Sequence, residues 1–241
     1  MTAIIAAAGL GTRFSPVTKV IPKEMLPIGS RPALELIVEE AFSAGAEETV
    51  IVISPEKEMI RKYFEGDTRI KFVYQKEQLG LGHAILQART DDDILVLLGD
   101  ALVFGENVSK KLVEIHEEYQ SSVIGLERVD RSLVSRYGVV KPREVSSSVV
   151  LIDDIVEKPS VEEAPSNLVV AGRYLLKAKI FDLLSTLPPG KNGEIQLTDA
   201  ISRLINAPDE KVFGRIGNSM RQDIGNPDGY YSALTNYRST I

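Results

Sequence analysis

The 241-residue sequence contains no cysteine and no tryptophan, and it has only two histidines. Without cysteine, disulfide bonds and zinc sites built on thiolates are excluded. The two histidines leave little for a histidine-based metal centre or catalytic triad. Long hydrophobic runs are absent as well. The longest apolar stretches, such as AIIAAA and ILVLL, are far shorter than the roughly 18 residues that a membrane-spanning helix requires.

The charge pattern also narrows the function. The formal net charge is -6 and no long basic block occurs, which argues against a nucleic-acid partner. No positively charged segment precedes the first apolar stretch, so a signal peptide is not expected. We therefore expect a cytoplasmic protein without a membrane partner. An anionic small molecule stays open as a ligand, because local lysines can bind it despite the overall charge.

Strand-length apolar runs alternate with segments of helical periodicity in the first half of the chain. The predicted strands are 3–8, 48–54, 70–75, 94–98 and 122–127. One intervening helix is expected to begin at a Ser30 cap, with Arg31 and Pro32 in its first turn. This alternation predicts a single Rossmann-like α/β domain, with a mostly parallel central sheet and helices on both faces.

The regular alternation of predicted strands and helices ends at about residue 128, but no linker or break in composition appears. Further strands are predicted at 137–141, 149–157, 168–176 and 212–216, and helices at 178–187, at 194–206 and from Pro227. We expect one domain over residues 1–241, in which residues 128–241 are inserted around the open end of the sheet.

A glycine-rich, basic segment, AAAGLGTRF, follows the first predicted strand. Ligands of open α/β sheets bind beyond the carboxyl ends of strands. Gly9 and Gly11 would let backbone N–H groups approach phosphate oxygens, which Arg13 and Lys23 could neutralise. An ordinary turn is the alternative. The dinucleotide pattern G-x-G-x-x-G fails at Phe14, and a P-loop ending is absent.

Three carboxylates are candidate functional residues. Asp100 comes directly after the strand at 94–98, where a carboxylate could hold Mg²⁺ together with phosphate oxygens. Asp223 lies in the turn-rich stretch DIGNPDG. Either aspartate could equally cap a turn or helix, and spacing alone does not show that they meet. Glu194 is expected in the first turn of a helix, where the helix dipole favours it without any ligand.

The joint order of short motifs carries more information than any one of them. Matching stretches extend from Ala7 to about Ile201: AAGLGTRF, IPKEMLP, VEEA, QLGLGHAI, LLGD, YGVV, VEKP, EAPSNL, GRYLL and GEIQLTDAI. With these motifs the sequence resembles the bacterial UDP-glucose pyrophosphorylases, a branch of the sugar nucleotidyltransferase superfamily. KEMLP and EAPSNL resemble the uridylyl branch in particular.

The resemblance implies a reaction and a set of site residues. Such enzymes join UTP to glucose 1-phosphate, release pyrophosphate and need no protein nucleophile. Catalysis would rest on positioning and on charge neutralisation by Mg²⁺, Arg13, Lys23 and Lys158. Asp100 and Asp223 would hold the metal ion. The implied nucleotide-binding residues are Ala8, Gly9, Gly11, Thr12, Arg13, Lys23, Gln75 and Gly80. The implied sugar-binding residues are Gly138, Glu157, Lys158, Gly172 and Glu194.

Two further details come with the resemblance. Glu24 would orient the nucleotide loop. Ala101 departs from the family, because a second acidic residue often stands there. The family likeness leaves the formation of a homo-oligomer open.

Other readings stay open at this point. The nearest is a thymidylyltransferase of the same fold that uses dTTP, because thymine and uracil differ only by a methyl group. A regulatory homologue that binds a sugar nucleotide without turnover is another. Lys23, Lys158 and Asp100 argue against it, because a pure binding protein has less need of a metal site. A Rossmann dehydrogenase is a third reading, weakened by Phe14.

Overall fold

The computed structural model describes residues 1–190, 193–217 and 220–238. Its strands are β1 (Thr2–Ala6), β2 (Pro27–Ile28), β3 (Arg31–Pro32), β4 (Glu48–Ile53), β5 (Ile70–Tyr74), β6 (Ile94–Leu98), β7 (Ala101–Phe104), β8 (Ser122–Arg128), β9 (Gly138–Glu144), β10 (Val149–Glu157), β11 (Leu168–Leu176), β12 (Val212–Ile216) and β13 (Met220–Asp223). Its α-helices are α1 (Ala33–Ser43), α2 (Glu58–Tyr63), α3 (Gly80–Leu86), α4 (Val108–Tyr119), α5 (Ile180–Ser185), α6 (Leu197–Ile205) and α7 (Pro227–Arg238). None of the helices described is long and apolar enough to cross a membrane.

The described strands form one nine-stranded sheet and two short ribbons. The order in the large sheet is β5-β4-β1-β6-β11-β8-β12-β10-β9. Strands β5, β4, β1 and β6 pair in parallel, as do β8 and β12, whereas β11, β10 and β9 pair antiparallel with their neighbours. The expected α/β fold is thus confirmed. Its four-stranded parallel part, β5-β4-β1-β6, is contributed by the first half of the chain, and the antiparallel strands of the second half make the sheet mixed.

Both faces of the sheet are covered, because successive side chains of a strand point to opposite sides. Ile4 of β1 packs in a buried cluster with Ile85 of α3 and with residues of α5 and α6. Ile5, the next residue, packs in a second cluster with Leu34 and Ile37 of α1. The core therefore consists of two layers of apolar side chains, and helices lie on both faces as expected.

Two expected helix starts are wrong. Helix α1 begins at Ala33 instead of after a Ser30 cap, because Arg31 and Pro32 pair with Pro27 and Ile28 in the β2–β3 ribbon. Helix α6 begins at Leu197, so Glu194 lies in the segment before the helix. A helix dipole thus does not account for Glu194.

A buried ion pair joins α1 to the middle of the sheet. Arg173 of β11 is completely buried, and its guanidinium donates to Glu40 Oε1 at 2.8 Å and to Glu40 Oε2 at 2.6 Å. The same guanidinium donates to the carbonyl oxygen of Ala101 at 2.7 Å. The pair thereby fixes the start of β7, directly after Asp100, relative to α1 and β11.

This geometry predicts a contrast between two adjacent glutamates. Glu40→Ala should lower the free energy of unfolding by about 3–5 kcal/mol, because it leaves the Arg173 charge buried without a partner. Glu39 makes a more exposed ion pair with Arg31, so Glu39→Ala should cost about 1 kcal/mol or less. Urea unfolding of both variants measures the difference. Equal losses would contradict the importance assigned to the buried pair.

Candidate active site

The loop after β1 presents backbone N–H groups that the protein itself leaves unbonded. Within the described part of the chain, none of the N–H groups of residues 8–13 donates a hydrogen bond. Several carbonyl groups of the same loop are occupied. Lys57 Nζ donates to the oxygens of Ala7 at 2.7 Å and Gly9 at 2.6 Å, and Gln78 Nε2 donates to that of Ala8 at 3.3 Å. A loop with free N–H groups and occupied carbonyls suits an anion such as phosphate.

A lysine and an aspartate meet beneath this loop. Lys23 lies in the short 3₁₀-helix Lys23–Met25 and is 8% exposed. Its ammonium forms an ion pair with Asp100 Oδ2. Burial disfavours the charge on Lys23, but the carboxylates of Asp100 and Glu24 outweigh it and raise the pKa of the lysine. Burial likewise opposes the charge on Asp100, but Lys23 lowers the pKa of its carboxyl below the ordinary value. Both groups are therefore charged at neutral pH.

The β7–β13 ribbon brings Asp223 to Asp100. Asp223 pairs with Ala101, the residue after Asp100. A Cβ placed on Gly225 would lie 2.8 Å from both Asp223 Oδ1 and Arg13 Nη2, and 3.0 Å from Asp100 Oδ2. The two carboxylates and one guanidinium thus converge around a glycine that has no side chain to separate them. Sequence spacing left this meeting open, and the ribbon supplies it.

Gln75 and Gly80 line a cavity of about 320 Å³ together with Lys23 and Asp100. Gln75 Nε2 donates to the carbonyl oxygen of Gly80 at 3.0 Å and lies 3.0 Å from His83 Nδ1. Gly80 adopts φ +90°, and a Cβ there would lie 2.8 Å from that of Glu194. Gly80 can therefore be replaced only with strain. The cavity is lined by Ala6, Ala8, Gly9, Lys23, Glu24, Gln75, Gln78, Gly80, Leu81, Ala84, Leu98, Asp100 and Glu194.

A second cavity of about 260 Å³ adjoins the first. All five predicted sugar-binding residues line it: Gly138, Glu157, Lys158, Gly172 and Glu194. Leu81, Leu98 and Glu194 line both cavities. Because the two cavities share these walls, ligands bound in them would lie next to one another.

Lys158 enters the second cavity from a strained backbone. Its φ is +45°, which is unusual for a residue with a side chain, and its N–H donates to the carbonyl oxygen of Tyr137 at 3.0 Å. Its ammonium lies 3.1 Å from Glu157 Oε1, while Thr198 Oγ1 donates to Glu157 Oε2 at 2.6 Å. Such a conformation costs about 1–3 kcal/mol and occurs often at functional sites.

Gly172 marks a bulge in β11. The register between β11 and β8 shifts between Val170 and Tyr174. Gly172 has φ +76°, and a Cβ there would lie 3.0 Å from Leu98 Cδ1. Bulges re-aim the residues of a strand next to binding sites. Glycine here lets β11 bend past the end of β6.

Not every predicted residue lies within the cavities. Gly11, Thr12 and Arg13 lie outside the lining of the first cavity, as does Asp223, and the Arg13 side chain is 61% exposed. Arg13 Nη1 approaches Asp223 Oδ2 at 3.6 Å. These residues border the charged cluster from the solvent side.

Sequence reasoning missed several cationic residues at the site, among them Lys57 and Arg221. Lys57 contacts the loop after β1. The sequence feature that could have indicated it is its position four residues after β4, the strand that pairs with β1. Arg221 lines the second cavity, pairs with Glu127 and lies 4.4 Å from the centre of the Tyr137 ring. It shares β13 with Asp223, two residues further on, but the sequence does not predict that strand and so gave no signal for Arg221.

The fold is that of a nucleotidyltransferase, and comparison with known proteins gives the family. The chain belongs to the nucleotidyl transferase family, whose model matches residues 2–240. It is 41% identical to UTP–glucose-1-phosphate uridylyltransferase 2 of Staphylococcus saprophyticus, over 98% of this chain and 91% of that protein.

Solved structures agree with this relationship. A UDP-glucose pyrophosphorylase complexed with UDP-glucose matches with a TM-score of 0.94 and 37% identity, over 100% of this chain and 99% of that one. The UTP-bound enzyme from Acinetobacter baumannii matches with a TM-score of 0.89 and 36% identity, over 98% and 92%.

Proposed function

We propose that the protein transfers the uridylyl group of UTP to α-D-glucose 1-phosphate, giving UDP-glucose and pyrophosphate. The observation that carries the proposal is the pair of cavities that share Leu81, Leu98 and Glu194. The first cavity lies below a loop with free N–H groups. The second is lined by carboxylates that can accept hydrogen bonds from sugar hydroxyl groups. The names of the relatives and the ligands in the similar structures support the same substrates.

In this proposal residues 1–127 supply the nucleotide side and residues 128–241 supply the sugar side and the closing strand. The N–H groups of residues 8–13, which include Ala8, Gly9, Gly11 and Thr12, bind the triphosphate. Lys23 and Arg13 neutralise it. Both cations lie at the Asp100–Asp223 cluster, so the leaving pyrophosphate would depart beside them.

Gln75 and Gly80 read the base. The Gln75 amide nitrogen already donates to the Gly80 carbonyl, so its carbonyl oxygen remains as an acceptor. Uracil presents an N–H donor at N3, where cytosine presents an acceptor. An accepting Gln75 therefore favours uracil over cytosine. Thymine presents the same edge as uracil, so discrimination against dTTP would rest on one methyl group and reach about 10–200-fold at most.

The second cavity accepts the sugar phosphate. Glu157 and Glu194 offer carboxylate acceptors for sugar hydroxyl groups, and Gly138 and Gly172 leave room for the ring. Lys158 lies at the cavity with its ammonium next to Glu157. It would bind the phosphate of glucose 1-phosphate and direct one of its oxygens toward the α-phosphorus of UTP.

A divalent metal ion, which we propose to be Mg²⁺, would be held by Asp100 and Asp223. Within the described residues no group of three or more acidic or histidine side chains could hold a metal alone. A pair of carboxylates suits an ion that takes its remaining ligands from water and substrate phosphates, as Mg²⁺ does. When bound, the ion supplies charge neutralisation and orientation of the phosphates.

The reaction itself is an in-line displacement. An oxygen of the sugar phosphate forms a bond to the α-phosphorus, the bond from that phosphorus to the bridging oxygen breaks, and pyrophosphate leaves with the electron pair. No proton must move and no protein group becomes covalently modified. Catalysis therefore rests on holding two anions together. Lys158, Lys23 and Arg13 reduce the electrostatic repulsion between them.

A substrate panel tests the proposal. Pyrophosphate release should be measured for UTP, dTTP, CTP, ATP and GTP, each with several sugar 1-phosphates. We expect the highest kcat/KM for UTP with glucose 1-phosphate. A preference for dTTP would favour the thymidylyltransferase, and binding of UDP-glucose without release of pyrophosphate from any pair would favour a regulatory protein.

Removal of the metal should abolish the reaction. Excess EDTA should stop pyrophosphate release, and added Mg²⁺ should restore it. Asp100→Asn should lower kcat by about a hundredfold or more, equivalent to roughly 3 kcal/mol. Full activity in EDTA would contradict the metal assignment.

The two cavity lysines should affect different substrates. Lys158→Met should impair the use of glucose 1-phosphate, while calorimetric binding of UTP without sugar survives. Lys23→Met should instead weaken the binding of UTP. Each lost charge-assisted contact is worth about 1.5–3 kcal/mol. Lys110→Met, on the exposed side of α4, serves as the control. Unaltered glucose 1-phosphate kinetics in Lys158→Met would contradict the sugar-phosphate role.

A further inference from the structure

Lys57 occupies a buried position that the proposed chemistry does not use. It ends the 3₁₀-helix Pro55–Lys57, directly after β4, and is 6% exposed. Its ammonium lies within hydrogen-bond distance of four oxygens. These are the carbonyl oxygens of Ala7 (2.7 Å) and Gly9 (2.6 Å) and both carboxylate oxygens of Glu24 (2.9 and 2.8 Å). Glu24 is 1% exposed.

The two carbonyl contacts determine which way the loop presents its N–H groups. In a trans peptide the C=O and the following N–H point in opposite directions. Because the carbonyls of Ala7 and Gly9 point at Lys57, the N–H groups of Ala8 and Leu10 point away from it. Neither of those N–H groups donates a hydrogen bond within the described chain. Lys57 therefore holds the loop with its acceptors inward and its donors free.

A cation with several donors is needed to bind both carbonyl oxygens and the Glu24 carboxylate. A methylene chain of the same length would leave both carbonyl oxygens without a partner in a buried place, which favours rotation of the peptides. A rotated peptide would turn an oxygen toward the incoming phosphates and repel them. Burial lowers the pKa of Lys57 and so disfavours its charged form. The adjacent Glu24 carboxylate opposes that effect and compensates the positive charge.

We propose that Lys57, paired with Glu24, is a positioning residue that sets the peptide orientation of the loop at residues 7–10 for binding the triphosphate. Glu24 acts through Lys57, and neither side chain touches the reacting atoms. The identity of the nucleotide as UTP rests on the proposed function.

Three variants separate positioning from mere stabilisation. Lys57→Met removes the donors and deprives the buried Glu24 of the cation that contacts both of its carboxylate oxygens. Glu24→Gln keeps the contacts of Lys57 with both carbonyls. The double variant, Lys57→Met with Glu24→Gln, removes the donors without leaving an unpaired charge. Lys62→Met, an exposed lysine on α2, is the matched control. For each variant the melting temperature and the KM values for UTP and glucose 1-phosphate should be measured.

We expect Lys57→Met to lower the melting temperature and to raise the KM for UTP by about 10- to 100-fold, from the loss of charge-assisted hydrogen bonds. The KM for glucose 1-phosphate should change by less than about threefold. The double variant should regain much of the lost melting temperature and keep the raised KM for UTP. Glu24→Gln should raise the KM for UTP by clearly less than the double variant does, because Lys57 keeps its contacts with both carbonyl oxygens. Lys62→Met should stay within about threefold of wild type for both substrates.

Two results would overturn the inference. One is a double variant with a wild-type KM for UTP, because the pair would then only stabilise the fold. The other is a Glu24→Gln variant as defective toward UTP as the double variant, because the carbonyl contacts would then not matter. A wild-type protein that does not convert UTP and glucose 1-phosphate would overturn the proposed function instead, so the two failures are distinguishable.

Discussion

The parallel pairing of β1 with β4 on one side and with β6 on the other is the constraint on which the site depends. It places the segments that follow three strands at one edge of the sheet. The loop at residues 8–13 follows β1, Lys57 follows β4 and Asp100 follows β6. A donor-rich loop, the cation that orients it and a carboxylate thus come together without any of them being close in sequence.

Charge at this edge is balanced by pairs. Lys57 pairs with Glu24 and Lys23 with Asp100, and both pairs are largely shielded from water. Desolvation of buried ions offsets much of their attraction, so such pairs are weak evidence of stability alone. Here each pair also has a geometric consequence. One directs the loop carbonyls inward, and the other keeps a cation and a carboxylate charged at the cavity wall.

Much of the fold could be predicted from the chain, because buried strands are continuous apolar runs. The bounds expected for β10, β11 and β12 are those observed. The β7–β13 ribbon could not be predicted, since its strands are short and each gains a partner only in the folded chain. The start of α6 was misplaced because a glutamate before a helix fits a first turn equally well. Lys57 and Arg221 escaped notice for a related reason, because lone cations carry no periodic signal.

If the proposed reaction takes place at this site, phosphates and a divalent ion must meet at the edge formed by β1, β6 and the β7–β13 ribbon. The most direct measurement is anomalous diffraction from crystals grown with UTP and Mn²⁺ as a substitute for Mg²⁺. We expect a manganese peak about 2.0–2.5 Å from carboxylate oxygens of Asp100 and Asp223, with phosphate oxygens at the N–H groups of residues 8–13. A peak elsewhere, or phosphates bound away from this loop, would contradict it.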